Sequence, residues 1–128
     1  MQGVQSNVRE QSRIIGIGVA VPGLVHHDSG LVRWAPRLRW VDEPVSELLA
    51  DATGLPVAVG NDASLGAIGE SLFGAGRHVT NLIYVNGGAS GIGGGIISRG
   101  LLMDGVDGYA GEFGHIRVGS SQLRDTAG

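Results

Sequence analysis

The chain has 128 residues, no cysteine, and 9 positive against 12 negative side chains, giving a formal net charge of −3. With no thiol there is neither a disulfide framework nor a thiolate metal site, and the positive residues are scattered arginines rather than a basic stripe, which excludes a nucleic-acid grip by this segment itself. No run is long and apolar enough to cross a bilayer or to serve as a signal peptide, so one soluble, cytoplasmic domain at most, or a part of a larger one, is expected.

In chain order, residues 1–13 are polar and without a clear period, and a frayed or truncated N-terminal segment is expected there. RIIGIGVAV (13–21) is a β-branched run halted by Pro22-Gly23, which predicts a buried strand ending in a tight loop. GLVRWAP (30–36) predicts a second short strand. Asp42-Glu43-Pro44 then predicts a helix start, with acids near its N-terminus and proline in its first turn. Val45, Leu48, Leu49 and Ala52 would form its apolar face, and Gly54 and Pro56 would stop it. LPVAV (55–59) predicts another buried strand, followed at Asn61-Asp62 by a helix with Leu65, Ile68 and Leu72 on one face and Gly74-Ala75-Gly76 as its close. NLIYV, the loop NGGAS, GIGGGII and GLLM predict a glycine-lined hairpin. This order of elements describes an α/β layered fold with some parallel pairing.

Glycine is the compositional outlier, at 24 of 128 residues, far above the roughly 7% of average usage. These glycines lie between hydrophobic runs rather than in Ser/Pro-rich tracts, so they mark close approach of backbone or ligand rather than disorder. Several signatures fail on inspection. The chain has no lysine, which excludes a phosphate loop ending in Gly-Lys. GIGGGI (91–96) lacks the last glycine of the dinucleotide fingerprint, and the residues around Ser90 miss the nucleophile elbow by one position. His26-His27 would face opposite ways in extended chain and read as a solvent-exposed pair, and His78 as a loop or capping residue.

Four segments survive: VPG (21–23), ND (61–62), the glycine-rich hairpin (86–97) and GEFGH (111–115). Asp62 stands between a strand end and a helix start, where ligand crevices form in open α/β sheets. It is either the N-cap of that helix or a carboxylate that binds or deprotonates a sugar hydroxyl. Glu112 and His115 lie three positions apart in a frame of Gly108, Gly111 and Gly114. They are either an exposed helix-entry pair or a polyol-binding pair, the carboxylate accepting from hydroxyls and the imidazole donating or accepting.

The ordered string VPG, APRLRW, VGNDASLGAIGE with FGAG, IYV with GIGGGII, and GYAGEFGH resembles the ROK family of repressors, open reading frames and sugar kinases, over about Ile14 to Val118. The resemblance implies an actin-like, RNase H-like α/β fold, here incomplete and covering the end of the N-terminal lobe and the start of the C-terminal lobe. Sugar would lie in the cleft and, in kinases, ATP between the lobes. It further implies that Asp62 is the base toward the sugar hydroxyl in a kinase, that Asn61 contacts sugar, that Glu112 and His115 hold hydroxyls near the anomeric carbon, and that Gly23 belongs to the loop over the sugar. Gly91, Gly93 and Gly94 would lie where kinases approach ATP phosphates.

The sequence departs from the family at four places. It has no counterpart of the Asp-x-Gly-x-Thr phosphate loop, and NGGAS stands where the second such loop usually carries threonines. Arg37 stands where many relatives have asparagine. Residues 119–128 form a cysteine-free tail in place of the zinc loop, so no metal is expected. ATP and Mg would enter only in a complete kinase.

The expectation is a partial sugar-binding domain (14–118) of a sugar-sensing transcriptional regulator, forming a homo-oligomer and meeting DNA only through an upstream head. The alternatives are a sugar kinase of glucokinase or N-acetylmannosamine kinase type, or an inactive fragment.

Overall fold

The computed structural model describes residues 13–88 and 91–103. The first strand, β1 (Ile17–Val21), pairs in parallel with β5 (Val57–Asn61), in register from Ile17 opposite Val57 to Val21 opposite Asn61. A parallel pair needs a long crossover. Here it is supplied by an antiparallel meander of β2 (Leu24–His26), β3 (Leu31–Ala35) and β4 (Trp40–Glu43), followed by helix α1 (Val45–Thr53). Helix α2 (Asp62–Phe73) leaves β5 directly, and a second antiparallel sheet of β6 (Leu82–Gly88), β7 (Gly91–Ser98) and β8 (Leu101–Leu102) completes the described chain.

The expected element order holds, with two strands added. GLVRWAP is β3, but β2 and β4 flank it. The acids expected to open a helix, Asp42 and Glu43, lie in β4 instead. Asp42 takes a left-handed φ of 50° and pairs with Arg33 across the hairpin at 3.1 Å, while Pro44 becomes the residue before the helix. Gly54 closes α1 in the left-handed conformation, as its position predicts. The first strand is shorter than RIIGIGVAV and only half buried: Val19 and Val21 face the core, while Gly18 and Ala20 lie open.

The main core sits between this parallel pair, the meander and α1. It consists of Val21, Val25, Val32, Ala35, Val45 and Val59, with Val19, Trp40, Leu49 and Val57 packed against it. Val45 and Leu49 thus do what the helical period predicts, whereas Leu48 is 53% exposed. Two close approaches explain two glycines. A Cβ on Gly23 would stand 2.5 Å from the Trp34 carbonyl oxygen. One on Gly30, whose φ is +66°, would stand 2.6 Å from Ser46 Cβ.

Around α2 the packing departs from expectation. The apolar face Leu65, Ile68, Leu72 does not bury this helix: Leu72 is 59% exposed, and the buried residues are Ala63 and Ala67. The reason lies across the interface. A Cβ on Gly93 would come within 2.7 Å of Ala63 Cβ, and one on Gly95 within 2.6 Å of Ala67 Cβ. Helix and strand therefore meet through their smallest residues, with Tyr84 filling the space above Gly66. The hairpin continues from β7 to β8 through Arg99 (φ 52°) and Gly100 (φ 78°), both positive as a two-residue hairpin turn requires.

Candidate functional site

The start of α2 is organised by Asn61. Its backbone is extended, and its side-chain Oδ1 accepts from the amides of Ala63 at 3.1 Å and Ser64 at 3.2 Å, two of the donors that a helix start leaves without partners. Its Nδ2 donates to the carbonyl oxygen of Gly23 at 2.7 Å, 38 residues away in sequence. The carboxamide thus ties the VPG turn at the end of β1 to the first turn of α2 at the end of β5. One Asn61 N–H remains for another acceptor.

Because Asn61 caps the helix, Asp62 does not. Asp62 is the first helical residue, exposed, with Oδ1 accepting the adjacent Ala63 amide at 2.8 Å. A carboxylate in the first turn is favoured by the helix dipole, and its second oxygen has no part in the cap. Sequence reasoning placed the cap one residue too late, since both Asn and Asp serve that role and spacing alone does not choose between them.

Beside Asn61 lies a hollow of about 150 Å³ between β2, β5, α2 and β8. Val59, Leu65 and Leu102 line its apolar part, and His27, Asn61 and Ser64 its polar part. His27 is exposed, as the sequence predicts, although its edge reaches the hollow. In the structure β2 ends at His26 and a turn begins, so strand alternation no longer applies. The two imidazoles lie nearly parallel with centroids 6.0 Å apart. His26 Nδ1 is 3.1 Å from Ser29 Oγ, and His27 Nε2 is 2.8 Å from Asp28 Oδ1.

The glycine hairpin divides by face. Gly93 and Gly95 turn toward α2, where packing explains their missing side chains, while Gly94 turns to the other face and Gly91 has a φ of 112°. Glu112 and His115, and the tail 119–128, lie outside the described residues.

This combination of a parallel strand pair, an Asn-capped helix leading with an aspartate and a glycine hairpin on its far side matches a known family along nearly the whole chain: the ROK family model aligns with residues 2–126. The chain belongs to the ROK family. The xylose repressor of Caldicellulosiruptor bescii is 42% identical over 105 residues, 82% of this chain and 26% of the repressor. Among solved structures, a ROK family transcriptional regulator, a homologue of the E. coli MLC protein, superposes with a TM-score of 0.82 at 32% identity, over 94% of this chain and 30% of that one. A ROK family glucokinase from Streptomyces griseus, in complex with glucose and AMPPNP, superposes at 0.81 with 38% identity, over 91% of this chain and 37% of the enzyme. The chain thus spans about a third of the ROK proteins it matches. These likenesses bear out the expected family and its actin-like α/β fold, and they include regulators and kinases alike. No helix among the described residues is long and apolar enough to cross a membrane.

Proposed function

We propose that residues 14–118 form part of the sugar-binding domain of a ROK-family transcriptional regulator, with Asp62, Asn61, Gly23, Glu112 and His115 directed at a hexose-like sugar. The observation that carries this reading is the Asn61 clamp. It places the VPG turn and the Asp62 carboxylate at one end of the parallel pair, where a ligand crevice belongs. The sensor role is favoured over phosphoryl transfer by NGGAS, which lacks the hydroxyl-rich character of a kinase phosphate loop. Repressor and regulator relatives of this fold agree with it. DNA contact would belong to a segment outside this sequence.

A kinase is the second reading, favoured by the likeness to the glucokinase solved with glucose and AMPPNP. There Asp62 would take the proton of the attacking hydroxyl, and the backbone of Gly91, Gly93 and Gly94 would meet the phosphates. Bound ATP and Mg would supply the transferred phosphoryl and its charge neutralisation.

Calorimetric titration with glucose, xylose and amino sugars, with and without nucleotide, tests both readings. Sugar binding that ignores nucleotide is expected. Micromolar nucleotide binding would favour the kinase, and no sugar binding would end both. Glu112→Gln is expected to weaken sugar binding while leaving the melting temperature unchanged; a fall in Tm with affinity intact would make Glu112 a structural cap.

A further inference from the structure

We infer that β6 is a docking edge for a second copy of this chain, the two copies joining their β6 strands antiparallel about a two-fold axis at Val85. β6 spans seven residues and ends its sheet, whose order is β6, β7, β8. It pairs with β7 without a shift of register, from Leu82 opposite Ile97 to Gly88 opposite Gly91. Among the described residues no strand pairs with its other side.

Backbone geometry fixes which groups that side presents. The carbonyl oxygen of Ile96 accepts the Met103 amide at 2.8 Å, so the polar backbone groups of Ile96 point to β8 and away from β6. Ile83 stands opposite Ile96 and therefore turns its own N–H and C=O outward, and by strand alternation so do Val85 and Gly87. Such a row is a template for another strand. Sheet edges are commonly blunted by charge, proline or brevity, and the other antiparallel edges of this chain are. β4 carries Asp42, in its left-handed kink, and Glu43, while β2 and β8 have three and two residues. β1 and β5 are uncharged but shorter, and the positions that alternate away from the core, Gly18, Ala20, Ala58 and Gly60, offer almost no side chain. β6 has neither charge nor proline, and Ile83 and Val85 on its open face are 67% and 61% exposed.

A partner of the same sequence suits this edge. The chain carries a net charge of −3, so two copies repel unless they meet on an uncharged surface, and β6 supplies one. With the axis at Val85, each Val85 exchanges both of its backbone bonds with its counterpart, and Ile83 does so with Gly87 of the other copy. The glycine leaves room for the Ile83 side chain, and one sheet runs through both copies.

The test is sedimentation velocity of the whole chain across a concentration series, with amide exchange read at both ends of it. The parent is expected to pass from monomer to dimer. The amides of Ile83, Val85 and Gly87 should gain protection with concentration, whereas those of Tyr84 and Asn86, which face β7, should not. Val85→Lys and Val85→Glu each set like charges against one another at the axis and should each weaken dimerisation about tenfold or more; an equimolar mixture of the two should restore it. Val85 is exposed, so neither variant should alter the circular dichroism spectrum. If either unfolds, the exchange pattern of the parent decides alone.

A parent that stays monomeric at every concentration would overturn the inference, as would a dimer insensitive to both charges. Charged variants that associate no better mixed than apart would overturn the pairing at Val85. Species that grow beyond a dimer would overturn it too, because two edges joined about a two-fold axis form a closed pair.

Discussion

The two halves of this molecule are held together by opposite means. Around β1, β5 and α1 the core is built from branched side chains, with Val21, Val25, Val32, Val45 and Val59 filling the space between layers. Around α2, β6 and β7 the contact is made by removing side chains, so that Ala63 and Ala67 lie almost on the backbone of Gly93 and Gly95. The first arrangement gains its stability from apolar volume and tolerates modest change of shape. The second gains it from close approach of main chain to main chain, and it has no room to give. Glycine-rich sequence near a ligand cleft therefore need not be there for the ligand.

Substitutions can break or sharpen this contrast, and the largest effect is expected where there is no room. Gly95→Val should destabilise the chain by about 3 kcal/mol through overpacking against Ala67, measured by urea unfolding; an effect below about 1 kcal/mol would mean that helix and hairpin separate easily. Val32→Ala, at a fully buried position, removes two methyl groups and should cost about 2 kcal/mol in the same assay. Asn61→Ala loses the helix cap and the bond to Gly23 and should cost about 1 kcal/mol, with a disproportionate rise in amide exchange at Gly23 and Leu24. Pro22 carries no amide, so the readout is the exchange of the Gly23 and Leu24 amides; if it is unchanged, the clamp does not hold the turn. Leu72→Ser, on the exposed side of α2, should change stability by less than about 0.5 kcal/mol, although helical period alone nominates it for the core.

The parts of the fold legible in sequence are those where one signal dominates. Val45 and Leu49 follow a helical period into a single core, Gly54 closes its helix because the left-handed conformation favours glycine, and the glycine hairpin lies where expected, although Asn86–Gly88, expected in its loop, extend β6 and pair with β7. Illegible were places where two residues compete for one role or where a partner decides. Asn61 and Asp62 are both good caps, and only the reach of Asn61 to Gly23 settles which one serves. Leu65, Ile68 and Leu72 form a convincing apolar stripe, but the glycine strand opposite selects the alanine face instead. Of the candidate site, Asn61 is bonded to Gly23 and Asp62 follows it at the helix start, a contact across 38 residues that no local signal announces, while Glu112 and His115 lie outside the described residues.

The β3–β4 hairpin carries a practical consequence. Both tryptophans of the chain, Trp34 and Trp40, stand on it, and the Trp34 carbonyl is one of the atoms that crowd Gly23. Indole emission excited at long wavelength therefore reports on this hairpin alone, giving the VPG turn an intrinsic optical probe that requires no label and no added chromophore.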